Sequence, residues 1–264
     1  MRPYTAILSA RFRMLLQYRA AALAGIGTQL FFGLVRMMIF EAFYRSPSAG
    51  QQPMDAQQVT TYIWLGQAFL LLAMLHLDGD VATMIRTGAV AYEMVRPVDL
   101  YNLWLARAIS NRTAPLMMRA APILLISAAF GVLSPPASAE SAALFAVSVA
   151  LGIVLAAAFA TLMTISLLWT ISGEGIARLG PAIIFFFSGM VIPLPLLPAW
   201  AQPVLEALPF RGLIDVPFRI YMGHLSAHET LRSLAQQVAW VIALVALGRV
   251  LVARGTRRLV VQGG

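Results

Sequence analysis

The chain has no cysteine and no lysine among its 264 residues. Without cysteine there are no disulfides and no thiolate metal sites. Without lysine there is no Walker A loop, because that loop sets a lysine on the nucleotide phosphates; all 19 basic residues are arginine. Charge is scarce as well: 11% of the residues are charged, against roughly 25% in an ordinary soluble domain. Water is therefore not the main solvent of this protein. Residue types that do chemistry are few. His224 and His228 stand four apart and would share a helical face, but no third ligand has a metal-site spacing, and a solvated loop is the plainer reading; His76 is the third histidine. Ser188 precedes Gly189 in an apolar run, yet Phe186 and Met190 occupy the glycine positions of a GxSxG nucleophile elbow. No catalytic residue, cofactor site or metal site is legible in the chain.

What is present is apolar. Hydrophobic residues make up 60% of the sequence and the mean hydropathy is +0.79. Several runs reach the ~20 residues that a helix rising ~1.5 Å per residue needs to cross a hydrocarbon core. The expected fold is an all-α membrane protein, one domain over 1–264, with six transmembrane helices at 20–43, 59–77, 106–133, 141–171, 176–193 and 234–253. Ahead of them, 4–19 places Tyr4, Ile7, Leu8, Phe12, Leu15 and Leu16 at helical spacing with Arg2, Arg13 and Gln17 on a more polar side, the pattern of an amphipathic helix lying in the interface. No small-residue cleavage site follows a short apolar core there, so the segment reads as retained.

The formal charge of +8 does not point to nucleic acid, because the arginines cluster at the ends of apolar runs and not on one polar face. Their distribution orients the chain instead. Fourteen arginines flank the N-terminus, the second and fourth connections and the C-terminus; four, Arg45, Arg211, Arg219 and Arg232, lie on the other side; Arg36 sits inside the first run. Positive charge is retained on the cytoplasmic side, so both termini are expected in the cytoplasm. Arg36 and Glu41 are candidates by virtue of charge at membrane depth, unless Glu41 sits in headgroups and Arg36 faces a helix bundle. Phe185, Phe186 and Phe187 of the fifth run, with Phe69 and Met74 of the second, would line a path for an apolar or cationic substrate; lipid contact or packing is the alternative. Gly25 and Gly33 suit close helix packing.

Two connections are unusual. The segment 87–100 mixes apolar residues with charges of both signs between Gly88 and Pro97, and Tyr92 to Val95 form an apolar knob of the kind a soluble motor would grip; an ordinary surface loop is the alternative. Asp99 is placed to start the next helix. The segment 193–232 has prolines at 193, 195, 198, 203, 209 and 217, which forbid one continuous helix. It is too apolar for a solvated tail, so short helices dipping into the outer leaflet as a re-entrant hairpin are expected.

Three stretches carry a resemblance: TGAVAYEMVRPVDLYNLWLAR (87–107), FSGMVIPLPLLPAW (187–200) with LPF (208–210), and RLVVQGG (258–264). Together they resemble the permease subunits of type-2 ATP-binding-cassette (ABC) exporters, in the bacterial branch related to drug-resistance and viologen-export systems, over essentially the whole length. The first stretch is similar to the family's glycine, short coupling helix, proline and re-entry into the third span, and the second to its fifth span and outer hairpin. The resemblance implies a permease in the bacterial cytoplasmic (inner) membrane, exporting a small hydrophobic or cationic compound. It implies ATPase coupling through Gly88, Tyr92, Glu93, Arg96 and Pro97, and two copies of a separate ABC ATPase subunit that hold ATP and Mg and do the hydrolysis, so that this chain is not itself an enzyme. A second permease is implied too, either a related chain or a second copy. Other classes are a secondary transporter, which would show more ionisable groups at the midplane, an intramembrane enzyme and a structural anchor.

Overall fold

The computed structural model describes residues 6, 9–10, 12–14, 19–46, 50, 52–170 and 173–257. The interfacial helix expected over 4–19 lies for the most part outside these residues, and the ending RLVVQGG lies wholly outside them. Among the described residues there are helices and turns and no strand. The α-helices are α1 (Arg19–Arg45), α2 (Ala56–Ala68), α3 (Leu70–Ala73), α4 (Gly79–Thr87), α5 (Val90–Met94), α6 (Leu100–Ala129), α7 (Ala139–Ile165), α8 (Glu174–Phe187), α9 (Gln202–Ala207), α10 (Asp215–Tyr221) and α11 (Ala227–Thr256). Three of the helical stretches, Ala24–Arg45, Ala139–Leu168 and Ala227–Thr256, are long and apolar enough to cross a membrane. α6 is as long as α11 but contains Arg107, Arg112 and Arg119 and two internal prolines.

The helix starts are written in the sequence. Asp55, Asp78, Asp99, Ser138 and Ser226 each accept a hydrogen bond from a backbone N–H of the first turn, satisfying donors that the helix leaves open. Asp55 with Gln58 and Ser226 with Glu229 complete reciprocal capping boxes. Where the apolar run and the helix differ, packing explains it. The run at 59–77 is interrupted at Phe69, whose ring packs edge-on to Phe145 and near Phe218, and the carbonyl of Gln67 beside the break accepts from Gln29 Nε2 at 3.0 Å. The helix expected from 106 begins at Leu100, one and a half turns earlier, because Asp99 caps it.

The chain passes back and forth between two ends. At one end, Thr61 bonds Ser134, Tyr221 Oη donates to the carbonyl of Ser134, and His224 Nε2 meets the carbonyl of Pro53; this end carries the prolines of 193–217. At the other, the N–H of Asp78 donates to Thr164, and Val81, Val90, Trp104, Ile165 and Val252 form a small separate core. α7 is the axis: α6, α10 and α11 all pack on it, and its composition is apolar on every face, as a buried helix requires. Gln237 of α11 fastens this axis, accepting from Ser148 Oγ of α7 at 2.9 Å and donating to the carbonyl of Gly212 at 2.6 Å.

Glycines let the helices meet. A Cβ on Gly25 would lie 2.6 Å from the guanidinium carbon of Arg119, and one on Gly33 2.9 Å from the ring of Trp64. On Gly248 of α11 it would strike the buried ring of Tyr101. Gly248→Ala is expected to cost about 1–3 kcal/mol through overpacking, read as a lower thermal midpoint in detergent, and Tyr101→Leu in the same chain should recover most of it. A wild-type midpoint for Gly248→Ala alone would show that the contact yields.

Candidate functional site

α4 ends at Gly88, whose φ of +75° is a left-handed conformation that glycine adopts without strain. The chain turns there into α5, the five-residue helix Val90–Met94. Val90 points into the small core, and Tyr92 and Val95 point away from it, 76% and 83% exposed. Arg96 and Pro97 are exposed beside them. Of the five residues expected at the coupling contact, one behaves differently from the reading of an outward-facing charge. Glu93 is 3% exposed: its Oε2 accepts from the indole Nε1 of Trp104 at 2.9 Å and its Oε1 lies 2.7 Å from Nη2 of Arg107. Trp104 and Arg107 are three apart on α6 and so share a face. Glu93 is thus a clasp that fixes α5 to the long helix, while Tyr92, Val95 and Arg96 form the surface.

Behind the clasp lies a cavity of about 160 Å³, walled by Leu71, Met74, Leu77, Trp104, Arg112 and Pro115 and bordered by His76 and Asp78. Trp104 is common to both, with its ring on the cavity and its N–H on Glu93.

The five residues expected along a substrate path have different surroundings. Phe69 is buried in the main core and Phe185 packs against it. Phe187 stands 6.3 Å from Phe210, centroid to centroid, with Phe186 beside it at the protein surface. Met74 lines the cavity near Asp78 instead. Arg36 serves the backbone of another helix, its Nη2 donating to the carbonyls of Met190 and Val191 at 2.7 and 2.8 Å, just past the end of α8. Glu41 pairs with Arg45 one turn on.

At the proline-rich end the structure assembles a charged group that sequence reasoning missed. Asp215 is 1% exposed, with Oδ2 3.7 Å from Nη1 of Arg219 and 4.0 Å from Nε of Arg211. The signal was an aspartate flanked at four residues on either side by arginine. Arg219 Nε also donates to His224 Nδ1, so His224 bridges two loops and is not the solvated residue expected; His228 is exposed. Ser188 Oγ donates to the carbonyl of Phe185 in its own helix, and Gly189, at φ +92°, leaves no room for a Cβ beside Tyr62 Oη. Among the described residues no group of three His, Cys, Asp or Glu stands where it could hold a metal ion.

A family model described as ABC-2 family transporter protein matches residues 35–263, which takes in every helix from the middle of α1 to α11. The chain belongs to the ABC-2 transporter family. It is a multi-pass membrane protein and a permease component of an ABC transporter, a class that works with an ABC ATPase. No curated protein matches the permease.

Proposed function

We propose that this permease is the membrane-spanning subunit of an ATP-driven exporter and that Tyr92, Val95 and Arg96 form the surface on which a separate ATPase subunit acts. The observation that carries the reading is an exposed apolar knob on a rigidly held element. Two large apolar side chains, Tyr92 on α5 and Val95 at its C-cap, stand exposed, while Glu93 of the same short helix is clasped to α6 through Trp104 and Arg107. An exposed apolar patch held this firmly marks a protein contact. Gly88 and Pro97 bound the element and fix where the chain turns.

The exporter reading has further parts. Six passes across the bilayer are proposed, formed by α1, α2 with α3, α6, α7, α8 and α11, of which the stretches in α1, α7 and α11 are long and apolar enough by themselves. The excess of arginine at the α5 end favours that end as cytoplasmic, with both termini there, and 194–221 as the re-entrant region on the outer side. ATP and Mg are held by two ATPase copies, since a chain without lysine has no P-loop. A second permease, related or identical, completes the complex in the bacterial cytoplasmic membrane. The cargo is a small hydrophobic or cationic compound, as the resemblance to the drug- and viologen-export branch suggests.

Coupling is tested with Tyr92→Ala combined with Val95→Asp. Recovery of the ATPase with the permease, and substrate-stimulated ATP hydrolysis, should each fall at least tenfold, with yield and thermal midpoint in detergent unchanged because both side chains face outward. Normal export by this variant would overturn the assignment, and export that continues without any ATPase would favour a secondary transporter.

A further inference from the structure

Arginine is spread through the bundle differently from aspartate and glutamate. Arg36, Arg112 and Arg119 lie well inside α1 and α6, whereas the 11 acidic residues all fall near helix ends or in the short connecting elements. Charge at such depth is costly and marks ligand or ion sites. Arg36 is occupied by two backbone carbonyls, and Arg119 is packed against the backbone of Gly25. Arg112 is different. It is 8% exposed and lines the 160 Å³ cavity together with Asp78, whose carboxylate acts on it electrostatically; its Nη1 donates to the carbonyl of Ala108 at 2.8 Å, and its Nε, like that of Arg119, is buried with no hydrogen-bond partner.

Of the other polar groups of the cavity, His76 is exposed at its border and the rest have bonds of their own. The carboxylate of Asp78 accepts from the N–H groups of Asp80 and Val81 and from Asn111 Nδ2. Thr161 and Thr164 donate to carbonyls of α7. What the cavity offers a guest is therefore the guanidinium of Arg112, balanced in part by the Asp78 carboxylate, and a wall of Leu71, Met74, Leu77 and Pro115. Its size is close to the ~150 Å³ of a cavity that takes benzene, room for one charged group and the first carbons behind it. The rest of a longer stem would leave past Met74, which is partly exposed.

We propose that this cavity binds the anionic group of an amphipathic ligand, a carboxylate or a phosphate on an apolar stem, with Arg112 as its counter-charge. Binding itself needs no ATPase, so the proposal rests neither on the exporter reading nor on the nature of its cargo. The group could come from a bilayer lipid or from a free amphiphile, and the chemistry of recognition is the same.

The test uses the purified full-length chain in detergent, titrated calorimetrically with octanoate, octylammonium and octanol against protein-free micelles. Octanoate should bind at least tenfold more tightly than the other two. Arg112→Gln, which removes the charge, and Ala160→Leu, which fills the cavity and leaves the charge, should each weaken octanoate at least tenfold, and Arg112→Lys should retain most of the affinity. Octylammonium binding as tightly as octanoate, or octanoate binding untouched by both Arg112→Gln and Ala160→Leu, would overturn the proposal. If a variant does not purify as a single species, the ligand series on the unaltered chain decides. In nanodiscs, competition by phosphatidylglycerol but not phosphatidylcholine upholds the site with a lipid occupant; equal affinity in both upholds it with a free amphiphile. The Tyr92→Ala, Val95→Asp chain should bind octanoate normally, so failure of coupling and failure of this site are told apart.

Discussion

Asp215→Ala is expected to prevent the permease from accumulating as a folded, monodisperse protein. The carboxylate is almost wholly buried and faces Arg211, itself buried, and Arg219. Removing one partner of such a group leaves the remaining charge uncompensated, at a cost of about 3–5 kcal/mol. Total stabilities run to ~5–15 kcal/mol, so the loss takes a large share. The damage would not stay local, because the N–H of Asp215 donates to the carbonyl of Ser188 and the side chain borders the cramped turn at Gly189. Asp215→Asn keeps the shape and should fall between wild type and alanine. Arg211→Met with Asp215→Leu removes the buried pair together and should recover part of the yield, since an apolar replacement of an ion pair is often tolerated. Size-exclusion profiles and thermal midpoints in detergent measure all three. A wild-type profile for Asp215→Ala would mean the triad carries no stability.

Glu93→Ala should uncouple the permease without touching its outer surface. Arg107 would lose its carboxylate and Trp104 its acceptor, and α5 would be held by Val90 and little else. A local loss of ~3 kcal/mol corresponds to roughly a hundredfold faster amide exchange over 79–98, measured on the permease alone. ATPase stimulation should fall at least tenfold in the assembled complex. Glu93→Gln, which keeps an acceptor for the indole, should lie in between. The contrast with Tyr92→Ala, Val95→Asp is the informative part: that variant should lose the partner with normal exchange, whereas Glu93→Ala loosens the element first. Unchanged exchange in Glu93→Ala would show that the clasp does not hold α5.

The helices themselves were legible because their signals are local. Apolar runs of membrane length, the caps at Asp99, Ser138 and Ser226, and the breaks at Gly88 and the 193–217 prolines each act within a turn or two of the chain. The burial of Glu93 was not legible: whether a glutamate in a five-residue helix faces out or in depends on Trp104 and Arg107, eleven and fourteen residues further on. Asp215 shows the opposite case. Its arginines sit at helical spacing on both sides, but counting charge for orientation treated Arg211 and Arg219 as solvated when they were already paired. Gln29 and Gln237 were passed over for a similar reason. An amide in an apolar run carries no charge to notice, yet each closes a gap in another helix's hydrogen bonding.

α8 has 14 residues, about 21 Å of helix, where a hydrocarbon core is ~30 Å thick. In a six-pass arrangement its open end stops inside the membrane, and the bare carbonyls that follow are closed by a guanidinium borrowed from α1. Sliding α1 away from this end would strand a cation and two carbonyls in oil, each at a cost of several kcal/mol. α1 and the turn after α8 are in that sense riveted, and parting them would cost more than parting helices that meet through apolar side chains alone.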